Sequence, residues 1–440
     1  MIATIHPQPL SGTLPAIPSK SYAHRLLIAA ALSDAREPVL VSYAGASEDI
    51  SATCRVLRAL GAEVEELTDA AGRPAGARVR PIDREHLPQM PELDCGESGT
   101  TLRYILPVVA ALGCGALVTG RGRLPQRPLE PLGAELRRQG IRLTEPTSGD
   151  VLPLTLEGRL VPGDYALPGN VSSQFVGGLL YALSLLEDVS RLTVTHSFES
   201  RAYVAMTLEV LRSAGVVITE GTSSENLPVW TVEGRGRLHA AENLAVEGDW
   251  SNAAFWLCAG ALGDHAVTVR GVRADSAQGD RAVSAALMLF GARGQRSSQA
   301  ATIRPDRLRG IDLNAHDIPD LVPVLAAVAA CADGTTHLTG CARLRIKESD
   351  RLATTASELS ALGANVRAEG DSLVIEGRPR LAGGTVDSHN DHRIAMMAAI
   401  AAIRCDGPVY ITDAEAVNKS YPDFFDHYRM LGGHVELLDA

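Results

Sequence analysis

The chain has 440 residues, of which 45% are hydrophobic, the ordinary share for a globular protein but more length than one hydrophobic core normally organises. Its formal net charge of −11 argues against the dominant basic field of a nucleic-acid binder, so any anion site has to be local. Seven scattered cysteines, none spaced Cys-x-x-Cys, suggest neither a disulfide framework nor a structural zinc site and fit a reducing cytosol, with Cys95 and Cys114 read as buried thiols.

In chain order, residues 1–10 carry prolines and no basic-then-apolar pattern, so no secretory signal is expected. The strand ahead of Pro15 is expected to pair with the second half of the chain. Six similar openings then follow, at residues 17–21, 95–100, 167–173, 247–251, 315–320 and 388–392. Each has a short strand, then small or capping residues, then an Ala/Leu-rich helical run. Six helix endings recur with them, each a Gly followed by a strand-like run, at Gly61, Gly140, Gly215, Gly291, Gly363 and Gly432. The period of roughly 70 to 80 residues is longer than that of solenoid repeats and points to pseudo-symmetry inside domains. Two apolar runs, 105–118 and 321–332, fall short of the roughly 20 residues that span a bilayer and read as buried helices.

Each repeat reads as βαβαββ, which makes the fold class α/β (α+β). Three repeats make one domain, and the Gly- and Arg-bearing stretch 234–241 marks the boundary. The expected division is residues 19–240 against residues 1–18 with 241–440.

A helix start exposes unpaired N–H groups and a partial positive charge, so several converging starts would trap anions even in an acidic protein. The openings carry suitable side chains: Lys20, Ser21 and Arg25; Arg103; Ser172, Ser173 and Gln174; Lys347 and Arg351; Arg393. Residues 345–351 add an acid among fixed cations. If they open a helix, Lys347 and Arg351 stand four apart on one face, with Glu348 three before Arg351. Such a run is usually a solvated face, and Ser172 and Ser173 alone would be plain caps. Recurrence at one helix start after another favours a site. His389 and His392, three apart without a third ligand, read as helix-start structure, and no metal or organic cofactor is expected.

Lys20 to Arg25, Ser98 to Arg103, Gln126 to Leu129, Ser172 to Phe175, Arg345 to Leu352, Asn390 to Arg393 and Lys419 to Phe424 together resemble, in order, the signatures of the 5-enolpyruvylshikimate-3-phosphate synthase family. The resemblance implies an enolpyruvyl transferase-like fold of two domains with three βαβαββ units each, and an active site in the cleft between them. It implies transfer of the enolpyruvyl group of phosphoenolpyruvate to the 5-hydroxyl of shikimate 3-phosphate, with release of phosphate, in the route to aromatic amino acids and at a target of glyphosate. By position, Lys20, Gly99, Arg127, Gln174 and Lys419 would meet phosphoenolpyruvate, Arg351 and Arg393 its carboxylate. Lys20, Ser21, Arg25, Ser172, Ser173, Gln174, Ser200, Asp320 and Lys347 would meet shikimate 3-phosphate, with Tyr203 nearby. Asp320 would take the hydroxyl proton. Glu348 would protonate the vinyl carbon and later deprotonate the methyl, and Lys20 would assist.

Pro18, Glu97, Tyr104 and Arg343 depart from the family pattern, and Glu97 should weaken anion binding unless an arginine compensates. The related UDP-N-acetylglucosamine transferases place a cysteine or aspartate near residues 124–126, and none is here. A non-catalytic phosphoanion binder would have no use for Asp320 and Glu348. A cytoplasmic monomer acting on two small molecules, with no nucleic-acid or membrane partner, is expected. With binding groups in both halves, the halves are expected to close on the shikimate substrate.

Overall fold

The computed structural model describes residues 1–45, 47–234 and 236–438; Ala46, the last two residues, and Arg235 in the expected boundary stretch lie outside. The chain forms two compact units. One runs from Lys20 to Val246, here the inserted unit; the other joins Met1–Ser19 to Glu247–Ala440 and is the terminal unit.

Among the described residues the strands form six four-stranded sheets, three in each unit. Strands Asp164–Pro168, Ser190–Thr195, Ile218–Thr222 and Pro228–Val232 show the common plan. The first two are parallel, and the fourth lies antiparallel between the second and third. A parallel pair needs a crossover, supplied here by helix Ser173–Ser184. Helix Arg201–Ser213 then connects the second strand to the closing hairpin.

Three of these sheets are completed by a strand from elsewhere in the chain. Strand Gly12–Pro15 runs parallel to Val267–Arg270, the expected pairing with the second half of the chain. Strand Asn243–Ala245 runs parallel to Val39–Ser42, which keeps the chain with the inserted unit up to Val246. The expected division at 240/241 would group residues 243–245 with the second domain. Strand Ile2–His6 fits between Val409–Thr412 and His434–Leu438, completing the sixth repeat.

The repeated helix ending has a direct physical cause. The six glycines 61, 140, 215, 291, 363 and 432 have φ of +99, +86, +80, +112, +90 and +89°, a left-handed turn that a side chain would strain. In each the next amide reaches back five residues, as Ala62 N does to the Leu57 carbonyl at 3.0 Å. The run 105–118 is not one helix, because Gly113 at φ +76° ends helix Gly99–Leu112 and strand Ala116–Thr119 follows. The run 321–332 does hold a buried helix, Val322–Ala329. Among the described residues no helix is long and apolar enough to cross a membrane.

Helix Trp250–Leu262 is buried on every side, as expected for a helix apolar all round. Trp256 stacks on Phe424 at 4.8 Å, and its Nε1 donates to the Tyr421 hydroxyl at 2.9 Å. This aromatic packing fixes the helix whose first turn carries Ser251.

Candidate active site

In the terminal unit, groups from the fifth and sixth repeats meet at Asp320. Lys347 Nζ and Arg351 Nη1 both donate to its Oδ1, at 3.0 and 2.9 Å. Arg393 Nη1 donates to the Asp320 backbone oxygen at 3.0 Å, and its Nη2 lies 3.6 Å from Oδ2. Glu348 shares Arg351, accepting from Nη2. Lys419 Nζ donates to the Asn390 carbonyl at 2.7 Å, beside the same helix start. Asp320, Lys347, Glu348, Arg351 and Arg393 are therefore brought into one cluster.

The helical-spacing premise does not survive. Helix Arg351–Ala361 begins only at Arg351, because the Asp350 carboxylate caps it by accepting from Ala353 N at 3.1 Å. Lys347 has extended backbone, so it and Arg351 reach Asp320 from a loop and a helix start, not from one helical face.

Asp391 and Asp280 support this cluster and were not singled out from sequence. Buried Asp391 accepts from Arg351 Nε at 2.8 Å and Ser349 Oγ at 2.9 Å, and caps its own helix through Arg393 N at 3.0 Å. Its place just before a helical run is the signal that could have found it. Buried Asp280 bonds the Ser251 hydroxyl, which accepts from Arg393 Nη2 at 2.9 Å. No local pattern marks it.

Burial would raise the pKa of Asp320, but Arg393, Lys347 and Arg351 outweigh it and hold the carboxyl well below its usual range. Burial pulls Lys347 down to about 8, although Asp320 opposes, because Arg351 and Arg343 add like charge. Burial pushes Asp280 up to about 6, with the Asp320 charge adding and Arg393 opposing. Arg351 stays firmly protonated, since Asp391, Glu348 and Asp320 surround it and overcome its burial.

The inserted unit holds the remaining candidates. A buried hydrogen-bonded chain runs from His24 Nδ1 to Thr53 (2.7 Å), Thr101 (2.7 Å) and Ser98 (2.8 Å). It ties together three helix starts, placing Lys20 and Asp49 one turn before His24 and Thr53, and Gly99 beside Thr101. Lys20 Nζ donates to Asp49 Oδ2 at 2.8 Å, a partner that sequence reasoning missed. Arg127 lies on Gly99, where an added Cβ would stand 2.8 Å from its Nη1. Gln174 accepts from Arg103 at 2.7 Å and donates to Thr100 at 2.8 Å. Ser172 caps the helix that begins at Ser173, and Ser200 adopts φ +51° at the start of the next. Arg25 donates to Thr207 Oγ1 and to the Ser21 and Tyr203 carbonyls, at 2.9, 2.6 and 2.8 Å.

A sequence model of the family described as EPSP synthase (3-phosphoshikimate 1-carboxyvinyltransferase) matches residues 5–428. The chain belongs to the EPSP synthase family. It is 39% identical over 98% of its length, and 98% of the relative's, to the 3-phosphoshikimate 1-carboxyvinyltransferase of Clostridium novyi. With the enzyme of the same name from Clostridioides difficile the identity is 38% at the same coverage. The solved EPSP synthase of Acinetobacter baumannii superposes with a TM-score of 0.79 at 27% identity, covering 99% of this chain and all of that one.

Two departures from the EPSP synthase pattern acquire a structural reading. Tyr104 sits in the notch that Gly177 leaves, bonds Thr207 at 3.0 Å, and lies under the Arg25 guanidinium at 5.2 Å. Glu97 packs its carboxyl on Gly122, between Arg121 and Arg123 in sequence. His389 pairs with Glu358 at 2.9 Å, and His392 is buried in the first turn of its helix.

Proposed function

We propose that these two clusters perform in this chain the reaction of the EPSP synthase family, the transfer of the enolpyruvyl group of phosphoenolpyruvate to the 5-hydroxyl of shikimate 3-phosphate. The terminal unit supplies the proton transfers. Asp320 takes the hydroxyl proton as oxygen attacks C2 of phosphoenolpyruvate, and Glu348 delivers a proton to C3, giving a tetrahedral adduct with a methyl group. Loss of phosphate, with return of a methyl proton to Glu348, restores the double bond.

The geometry supports a base that strengthens only when loaded. Without substrate, Arg351, Arg393 and Lys347 spend their charge on Asp320, which makes it a weak base. The phosphoenolpyruvate carboxylate would compete for Arg351 and Arg393, whose planar forks suit it. Drawing them away lifts the basicity of Asp320 as the acceptor hydroxyl arrives.

The inserted unit supplies binding. Lys20, Arg127 and Gly99 would receive the phosphate of phosphoenolpyruvate, together with Lys419 of the terminal unit. Ser172, Ser173 and Ser200 would receive that of shikimate 3-phosphate, Ser21 and Arg25 its carboxylate, and Gln174 and Lys347 its ring. Neither unit alone is expected to turn over. We place the enzyme in the cytoplasm, a reading supported by seven cysteines that are all free thiols, and expect it to act as a monomer.

The observation that carries this reading is the single carboxylate, Asp320, held by three cations, with a second acid on one of them. A coupled phosphate-release assay tests it. Turnover is expected with shikimate 3-phosphate and phosphoenolpyruvate and not with UDP-N-acetylglucosamine. Release with the nucleotide sugar alone, or with neither acceptor, would reject the assignment.

A further inference from the structure

The chain's first and last strands, Ile2–His6 and His434–Leu438, pair antiparallel with His6 directly opposite His434. Residues two apart on a strand share a face, so Glu436 stands on the same side as both histidines. The two imidazoles stack with centroids 4.3 Å apart and planes 18° from parallel. Glu436 Oε1 lies 3.2 Å from His6 Nε2 and 3.5 Å from His434 Nε2. Among the described residues, Glu436 forms no ion pair with a lysine or arginine.

The carboxylate and the two imidazoles gather three donor atoms around one point, and the stacked rings have to turn apart about their side-chain bonds for both Nε2 lone pairs to aim at one ion. Zinc bound tetrahedrally, at about 2.0–2.1 Å to nitrogen and a similar distance to carboxylate oxygen, holds its donors about 3.3 Å apart. Two of the three edges here already have that length, and all three donor atoms lie within 4.8 Å of one another. Two imidazoles and one carboxylate suit zinc and its first-row neighbours better than magnesium or calcium, which favour oxygen alone.

We propose that His6, His434 and Glu436 form a structural site for Zn2+ or a similar divalent transition ion, with water in the fourth position. The ion fastens the first strand to the last and takes no part in enolpyruvyl transfer. Because only the folded pairing assembles the three donors, binding stabilises the terminal unit by mass action.

Cobalt is a suitable probe, since a tetrahedral Co2+ site absorbs strongly in the visible. Full-length, untagged, metal-stripped protein is expected to take up one Co2+ with that spectrum, to release it to Zn2+, and to melt at higher temperature with Zn2+ present. His434→Ala, an exposed position, should lose the spectrum and the melting shift while keeping wild-type turnover; His6→Ala should do the same. A spectrum or melting shift unchanged in both variants would overturn the proposal, as would absence of one-equivalent binding in the unsubstituted protein.

Discussion

The two units handle positive charge differently. In the terminal unit the cations are matched by carboxylates: Asp320 against Lys347, Arg351 and Arg393, Glu348 and Asp391 against Arg351. In the inserted unit Lys20 is likewise matched by Asp49, but Arg25 rests on two backbone carbonyls and a threonine hydroxyl, and Arg103 donates to the Gln174 amide oxygen. Neutral partners orient a cation and leave its charge for a ligand. Acidic partners offset that charge and bring proton-carrying groups to it. The first arrangement suits binding, the second chemistry.

The strongest way to break this contrast is to neutralise the acids. Asp320→Asn and Glu348→Gln should each lower kcat by roughly a hundredfold to ten-thousandfold, the range of general acid–base catalysis, with much smaller changes in KM. Ser172→Ala in the inserted unit should instead raise KM for shikimate 3-phosphate and leave kcat nearer its original value. Steady-state kinetics in both substrates decides it: a KM effect from the acids and a kcat effect from the serine would reverse the division of labour.

A smaller effect separates shape from charge. Arg393 donates from two nitrogens, to the Asp320 carbonyl and to Ser251, and so aims its fork. Arg393→Lys keeps the charge and loses the fork. Charge-assisted hydrogen bonds contribute about 1.5–3 kcal/mol, so kcat/KM for phosphoenolpyruvate should fall by roughly ten- to a hundredfold. An unchanged value would mean that Arg393 acts only as a point charge.

In the inserted unit the corresponding perturbation is steric. Gly99→Ala sets a methyl 2.8 Å from Arg127 Nη1, so the guanidinium has to shift. A shift of a few tenths of an ångström should raise KM for phosphoenolpyruvate by roughly tenfold. Titration with shikimate 3-phosphate alone should show little change, and a loss confined to that ligand would move Arg127 to the other substrate.

The same contrast explains what was readable from residues alone. The six glycine endings were legible because a left-handed turn is a local requirement that few other residues meet. The helix-start positions of Lys20, Gln174 and Arg393 were legible because helix starts carry local capping signals. Partners were not. Asp49 and Asp280 become meaningful only when distant segments pack, and Asn243–Ala245 holds no local hint that its neighbour is Val39–Ser42. The run at 345–351 misled because alternating charge reads as a helical face, whereas Asp350 capped the helix and left Lys347 outside it.

Asp280 offers the finest test, because its effect falls on stability first. Its carboxyl is buried and pushed up from 3.8 to about 6. A folded-state pKa above the unfolded one means that the native state binds more protons between those values, so this group's contribution to stability falls as pH rises from about 4 through 6. Above that window the buried charge costs on the order of 3 kcal/mol, at about 1.4 kcal/mol per unit. Asp280→Asn keeps a hydrogen-bonding partner for Ser251 and removes the charge. It should therefore melt higher than the unsubstituted chain at pH 8, lose that advantage as pH falls through 6, and match it near pH 4. Because Ser251 also bonds Arg393, a modest rise in KM for phosphoenolpyruvate should accompany the gain in stability. A melting difference that does not vary with pH would show that the Asp280 carboxyl titrates alike in the folded and unfolded chain, so that Arg393 and Ser251 fully offset its burial.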